Sequence, residues 1–148
     1  MTRRVSLDTE TEFALWKRGA AADVKRARRV LIGHSDRAIG ESLVLLLSLK
    51  GYDAVCATDL PKVKSFLKTW QPHAILFDTR LDAVSGFRFV RALHGEPSRG
   101  EILVLAMSNI LPLDPIANLK EAGFDGHCRR PCSSWRVLDI LEGYFARA

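Results

Sequence analysis

From Arg29 onward the apolar and polar positions fall into two alternating kinds of segment. Arg29-Val30-Leu31-Ile32-Gly33 is a short apolar run, which reads as a strand buried on both faces. A helix is predicted from about Arg37 to Lys50. Ile39, Leu43, Leu46 and Leu47 lie at helical spacing on one face of it, and Gly51 is placed to end it. Tyr52 to Ala57 is a second strand, followed by a helix capped by Thr58 or Asp59, with Pro61 near its first turn, running to Trp70. His73 to Phe77 is a third strand that ends at Asp78. Ser85 to His94 reads as helix and Ile102 to Met107 as a fourth strand. Asp114-Pro115 opens a further helix closed by Gly123, Asp125 to Cys128 is a short fifth strand, and Ser133 caps a last helix.

Five strands alternating with five helices specify an α/β three-layer sandwich: a doubly wound, five-stranded parallel sheet with helices on both faces. Right-handed crossovers leave few topologies, and the flavodoxin-like strand order 2-1-3-4-5 is the natural one. Sheets of this kind carry function at the carboxyl ends of their strands. Those ends are Gly33-His34-Ser35-Asp36, Asp78-Thr79-Arg80, Met107-Ser108-Asn109 and Arg129-Arg130-Pro131.

Residues 1–27 read as a basic amphipathic extension ahead of a domain spanning 28–148. Thr9-Glu10-Thr11-Glu12 has the form of a capping box, and Phe13, Trp16, Ala20 and Val24 recur at helical spacing. The pattern predicts an extra N-terminal helix. Two readings stay open for it: a frayed tail, or a Phe13/Trp16 stripe that docks on a partner or on its own domain.

Composition narrows the class. With 148 residues, 47% hydrophobic and 26% charged, the chain can bury a real core. No apolar run approaches the roughly 18 residues of a membrane-spanning helix. The N-terminus lacks the apolar stretch of a secretory signal. Cys56, Cys128 and Cys132 are then expected as free thiols in a reducing, cytoplasmic setting. The net charge is +5, but residues 1–29 hold eight Lys/Arg against four Asp/Glu, and the remainder holds fourteen against thirteen. A nearly neutral domain with a basic arm argues against nucleic-acid binding, which spreads cations over a docking face.

The candidate chemistry centres on Asp78. A carboxylate there, a hydroxyl at Ser108 and a cation at Arg130 would stand on neighbouring strand ends, a set suited to accepting a phosphoryl group and holding its oxygens. From about Arg29 to Ala148 the chain resembles a response-regulator receiver domain of bacterial two-component signalling. The resemblance implies that Asp78 is the phospho-acceptor and that Ser108 is the switch hydroxyl. It places Arg130-Pro131 on the family's Lys-Pro pair, His127 on its aromatic switch position, and Gly86 on the glycine that opens the third helix. It also implies a histidine kinase or phosphotransfer protein as donor, a downstream protein partner or a homodimer as output, and no catalysed reaction on a small substrate.

Departures from the pattern bear on the metal. Receivers carry two adjacent acids after the first strand, which help to hold Mg2+; here His34-Ser35 stands there, with Asp36 one position too far along. Only Asp78 remains as a metal ligand, so Mg2+ binding should be weak or absent. Arg130 in place of lysine brings a planar guanidinium able to grip a carboxylate through two parallel hydrogen bonds. An Asp78–Arg130 ion pair is therefore expected, with Arg80 near the vacated metal position. This degenerate pocket supports an alternative role, a phosphorylation-independent docking or dimerisation module. His34 reads more simply as a hydrogen-bonded spacer than as a ligand, and Ser35 and Asp36 as helix caps. His127, Cys128 and Cys132 lack the paired spacing of a zinc site. Phosphohydrolase, flavin and cobalamin readings each lack a defining residue: Arg80 stands where a second acid is wanted, the 33–37 loop is a poor phosphate cradle, and Ile32 and Arg37 occupy key loop positions. With no output domain expected after the last helix, the output would run through protein contacts on the fourth-helix face, from about Asp114 to Gly126.

Overall fold

The computed structural model describes residues 11–16, 27–82, 85–95, 102–110 and 113–146. In chain order the elements are β1 (Phe13–Leu15), β2 (Arg29–Gly33), α1 (Arg37–Leu49), β3 (Asp53–Ala57), α2 (Leu60–Trp70), β4 (Ala74–Asp78), α3 (Arg88–His94), β5 (Leu103–Ser108), α4 (Ile116–Ala122), β6 (Gly126–Arg129) and α5 (Ser134–Phe145). A 3-10 turn at Thr79–Leu81 follows β4. The sheet order is β1-β6-β5-β4-β2-β3. Strands β2 to β6 are mutually parallel and reproduce the 2-1-3-4-5 order expected of them.

Alternation along each strand divides the core in two. Val30, Ile32, Leu76, Leu105 and Met107 face one side and pack with Leu43, Leu47, Val137, Leu141 and Tyr144 of α1 and α5. Leu31, Ile75, Phe77 and Val104 face the other and pack with Val63, Val90, Leu93 and Leu119 of α2, α3 and α4. The central strands are buried along their whole length, as strands covered by helices on both faces must be. Asp59 caps α2 by accepting a hydrogen bond from the Lys62 amide at 2.9 Å, and Gly123 ends α4 with φ of 108°.

Two expectations need correction. Ile39 is 44% exposed; the inward position on α1 is Gly40, where an added Cβ would collide with the Cys56 sulfur. The backbone of α1 approaches β3 too closely at that point for a side chain. The second correction concerns the extension. Thr11 and Glu12 are helical, but Phe13–Leu15 is a strand and not a continuing helix. It pairs antiparallel with β6, so the sheet has six strands, and the pairing opposes Phe13 to Cys128, Ala14 to His127 and Leu15 to Gly126. The unpaired edge of β6 overrides a weak helical spacing. The rest of that spacing, at Ala20 and Val24, and the start of the capping box lie outside the described residues. Among the described residues no helix is long and apolar enough to cross a membrane.

Candidate functional site

Asp78 ends the central strand β4, and its carboxylate also caps the 3-10 turn by accepting from the Arg80 amide at 3.0 Å. The side chain is fully buried. Arg130 reaches it from the loop after β6, with Nη1 donating to Oδ1 at 2.6 Å. Arg80 approaches from the other side: Nη2 lies 3.1 Å and Nε 3.3 Å from Oδ2. From the loop after β2, the Ser35 amide at 3.0 Å and hydroxyl at 2.5 Å both donate to Oδ2. Three separate chain segments thus close on one carboxylate.

The expected Asp78–Arg130 pair is present, but the fork is not where the sequence puts it. Arg130 reaches the carboxylate through Nη1, and its Nη2 is buried without a partner among the described residues. The two-nitrogen grip belongs to Arg80, whose side chain is about half exposed. Arg80 lies two residues past Asp78 on the tight turn, so its backbone amide and guanidinium both curl back onto the carboxylate. Burial pushes the Asp78 carboxyl up, but the hydrogen bonds from Arg80 and Ser35 outweigh it and hold the group down at about 2. Burial draws Arg130 below its ordinary value while Asp78 pulls it back up; it stays cationic at neutral pH.

His34 is also fully buried, with Nδ1 3.6 Å from Asp78 Oδ2. That nitrogen accepts a hydrogen bond from the Asp36 amide at 2.9 Å, so it carries no proton and the ring is neutral. Burial is the main force lowering its pKa; Asp78 opposes the shift, and Arg130 and Arg80 reinforce it. His34 is therefore a spacer in the loop, not a cation beside Asp78. Asp36, included among the acidic-pocket positions from sequence, is not brought there. Its Oδ1 accepts from the Ala38 and Ile39 amides, at 3.0 and 3.3 Å, as the cap of α1.

These donors do not suit Mg2+. An octahedral cation needs oxygen ligands, and among the described residues Asp78 is the one carboxylate at this spot, with both oxygens already accepting from guanidinium, amide or hydroxyl donors. Among the described residues no group of three His, Cys, Asp or Glu side chains could hold a metal.

Ser108 and His127 sit beside this cluster. Both are fully buried, and Ser108 Oγ lies 3.0 Å from His127 Nδ1. On its other side His127 stacks on Trp16, with ring centroids 5.4 Å apart and planes 16° apart. A second polar chain, with no motif to mark it in the sequence, runs from Thr79 to Arg129. Thr79 Oγ1 donates to Asp114 Oδ2 at 2.7 Å, which also accepts from the Asn109 amide at 2.6 Å. Arg129 Nη1 then donates to the carbonyls of Asn109 and Asp114. The signal for it is a hydroxyl and an acid on adjacent loops, which only the fold places together. The Arg130–Pro131 peptide is cis. Cys128 and Cys132 are joined as a disulfide, their Cα atoms 6.0 Å apart, where free thiols were expected; Cys56 is the free cysteine.

The likenesses to known proteins agree with this layout. Over 119 residues the chain is 30% identical to the response regulator MprA of Mycobacterium tuberculosis, covering 80% of this chain and 51% of that protein. The MprA of Mycolicibacterium vanbaalenii is 29% identical over the same length. The chain therefore spans about half the length of the curated relatives it matches. Among solved structures, the signal receiver domain of a signal transduction histidine kinase from Syntrophus aciditrophicus superposes with a TM-score of 0.69 at 21% identity, covering 81% of this chain and 91% of that one. A response regulator from Thermotoga maritima gives 0.67 at 16% identity, covering 81% and 98%. No protein-family profile matches the sequence. From β2 to α5, this chain has the receiver-domain fold, and over 80% of its length it is similar to response regulators.

Proposed function

We propose that this receiver works without metal-dependent phosphorylation, as a protein-binding module in two-component signalling whose pocket is held shut by an ionic lock. The observation that carries the reading is the saturation of Asp78: Arg130, Arg80 and Ser35 together occupy both of its oxygens. A carboxylate in that state is a poor nucleophile. Its lone pairs are engaged, and at a pKa of about 2 it is weakly basic. In-line attack on a phosphoryl donor would require two guanidinium groups to let go, with no dication to take over the developing charge.

The role is one of binding and not of catalysis, and it needs no Mg2+. Arg130 then holds the loop after β6 against Asp78 at the end of β4, and its backbone amide, donating to the Ser108 carbonyl, ties that loop to the end of β5. The output is a protein contact on the α4–β6–α5 side. The reading in which a histidine kinase or phosphotransfer protein phosphorylates Asp78 makes the opposite chemical forecast. Incubation with acetyl phosphate at millimolar Mg2+, followed by intact mass, separates them. We expect an unmodified chain; rapid stoichiometric gain of one phosphoryl group, lost in Asp78→Asn, would establish the phosphorelay role instead.

A further inference from the structure

The edge of β6 is covered by the chain's own N-terminal segment. Phe13–Leu15 runs antiparallel along it, and the Trp16 amide extends the pairing by donating to the Asp125 carbonyl at 2.7 Å. The far end is tied by Arg129 Nε donating to the Thr11 carbonyl at 3.2 Å. Side chains clasp the strand from both faces. The Arg136 guanidinium of α5 lies over the Phe13 ring at 4.1 Å, and the Lys120 ammonium of α4 lies 5.1 Å from the Trp16 ring. The seat is shaped for a passing backbone: a Cβ on Gly126 would run into the Ala14 carbonyl oxygen and come within 2.8 Å of Leu105 Cδ2.

A strand of three residues is a weak occupant in itself, shorter than the roughly five or six that are usual. It is also tethered: twelve residues separate Trp16 from Arg29 in the sequence, which places the segment at an effective concentration on the order of millimolar. Such an occupant excludes competitors in proportion to that concentration, yet it can be displaced without unfolding the sheet behind it.

We propose that the β6 edge is a strand-addition site for an extended peptide of aromatic-small-aliphatic-aromatic pattern, which Phe13-Ala14-Leu15-Trp16 occupies in cis and thereby masks. The chemistry of the partner is read from the occupant. Its backbone pairs antiparallel with β6, a first aromatic ring meets Arg136, and a last one lies between His127 and Lys120. His127 links this edge to Ser108, so the masked surface adjoins the locked pocket. The inference extends the docking reading above, and it does not depend on whether Asp78 accepts a phosphoryl group.

The test uses the full chain and a fluorescent peptide of residues 9–17. Ala14→Pro removes a backbone donor from the middle of β1 and should free the edge. The variant is expected to bind the peptide at least tenfold more tightly than the wild type, as an effective concentration on the order of millimolar implies for a peptide of Kd about 100 μM. Adding Gly126→Val to the same chain should abolish binding by filling the seat. Equal affinity for wild type and Ala14→Pro, or no binding by a folded Ala14→Pro chain, would overturn the proposal. Hydrogen exchange on the unaltered chain gives an independent reading. The Trp16 amide should exchange through a local opening well ahead of the β4 and β5 amides, whereas exchange only on global unfolding contradicts a displaceable mask.

Discussion

Arg80 and Asp78 are two residues apart, yet the arginine contacts the carboxylate through its backbone amide, Nε and Nη2. The geometry follows from the 3-10 turn that starts at Thr79: the turn points the amide of Arg80 back at the strand end and sends its side chain along the same path. With Arg130 on the opposite side, Asp78 becomes an anion between two cations, and the cluster carries a formal charge of about +1 when His34 is neutral. This balance is the reverse of the acidic pocket that would invite a dication.

An anion that neutralises two cations holds the fold together. Asp78→Asn should therefore destabilise the domain by about 3 kcal/mol, because it leaves the mostly buried Arg130 without its counter-charge. Urea unfolding of both chains measures the difference. A carboxylate free of such partners would behave oppositely, since neutralising a lone buried charge is favourable.

The acid limb of stability should carry the signature of Asp78. Its folded pKa of about 2 lies below the ordinary 3.8, so ionisation favours the folded state. That contribution, about 2 kcal/mol, is complete above the unfolded value and fades as pH falls from about 4 toward 2. In Asp78→Asn the fall across this window should shrink accordingly, as followed by denaturant midpoints at successive pH values.

His34 should produce a separate step at higher pH. Its folded pKa is lowered by burial, so below about 6.5 the unfolded chain takes up a proton that the folded chain refuses. Stability is expected to decline as pH drops through that region. His34→Gln, which keeps an acceptor for the Asp36 amide, should flatten the decline.

Mg2+ affinity should be recoverable by undoing the substitutions that exclude it. Ser35→Asp with Arg80→Ala supplies a second carboxylate and removes the guanidinium grip on Oδ2. Calorimetric titration should show Mg2+ binding in this double variant and none in the wild type. Arg80→Ala alone should cost less than about 1 kcal/mol, because the arginine is half exposed and screened by water.

The sheet and its helices were legible because their signals are local and strong. Runs such as Ile75-Leu76-Phe77 are buried on both faces, and breakers such as Gly51 and Gly123 sit at positive φ where only a turn fits. The convergence of Asp78 and Arg130 was legible through strand order, since both end strands at the same rim. The cap role of Asp36 is legible as an acid directly ahead of a helix, whereas the two-nitrogen grip of Arg80 on Asp78 depends on turn geometry within a few ångströms, which spacing does not encode. β1 was misread because Phe13 and Trp16, three apart, fit a helix stripe as well as they fit a strand whose Trp16 turns toward His127. What decided between them was the open edge of β6, more than a hundred residues away. Gly126, with no room for a Cβ, is the sequence mark of that contact, and it is interpretable only once the partner is known.

Crystals of the chain grown or soaked with Mg2+ and beryllofluoride test the metal-free lock most directly, because that pair mimics a phosphoryl group on a receptive aspartate. Asp78 is expected to remain unmodified, with Arg130 Nη1 still at hydrogen-bond distance from Oδ1 and the Arg80 grip in place. An ordered Mg2+ and a fluoroberyllate on Asp78, with both arginines displaced, would contradict it.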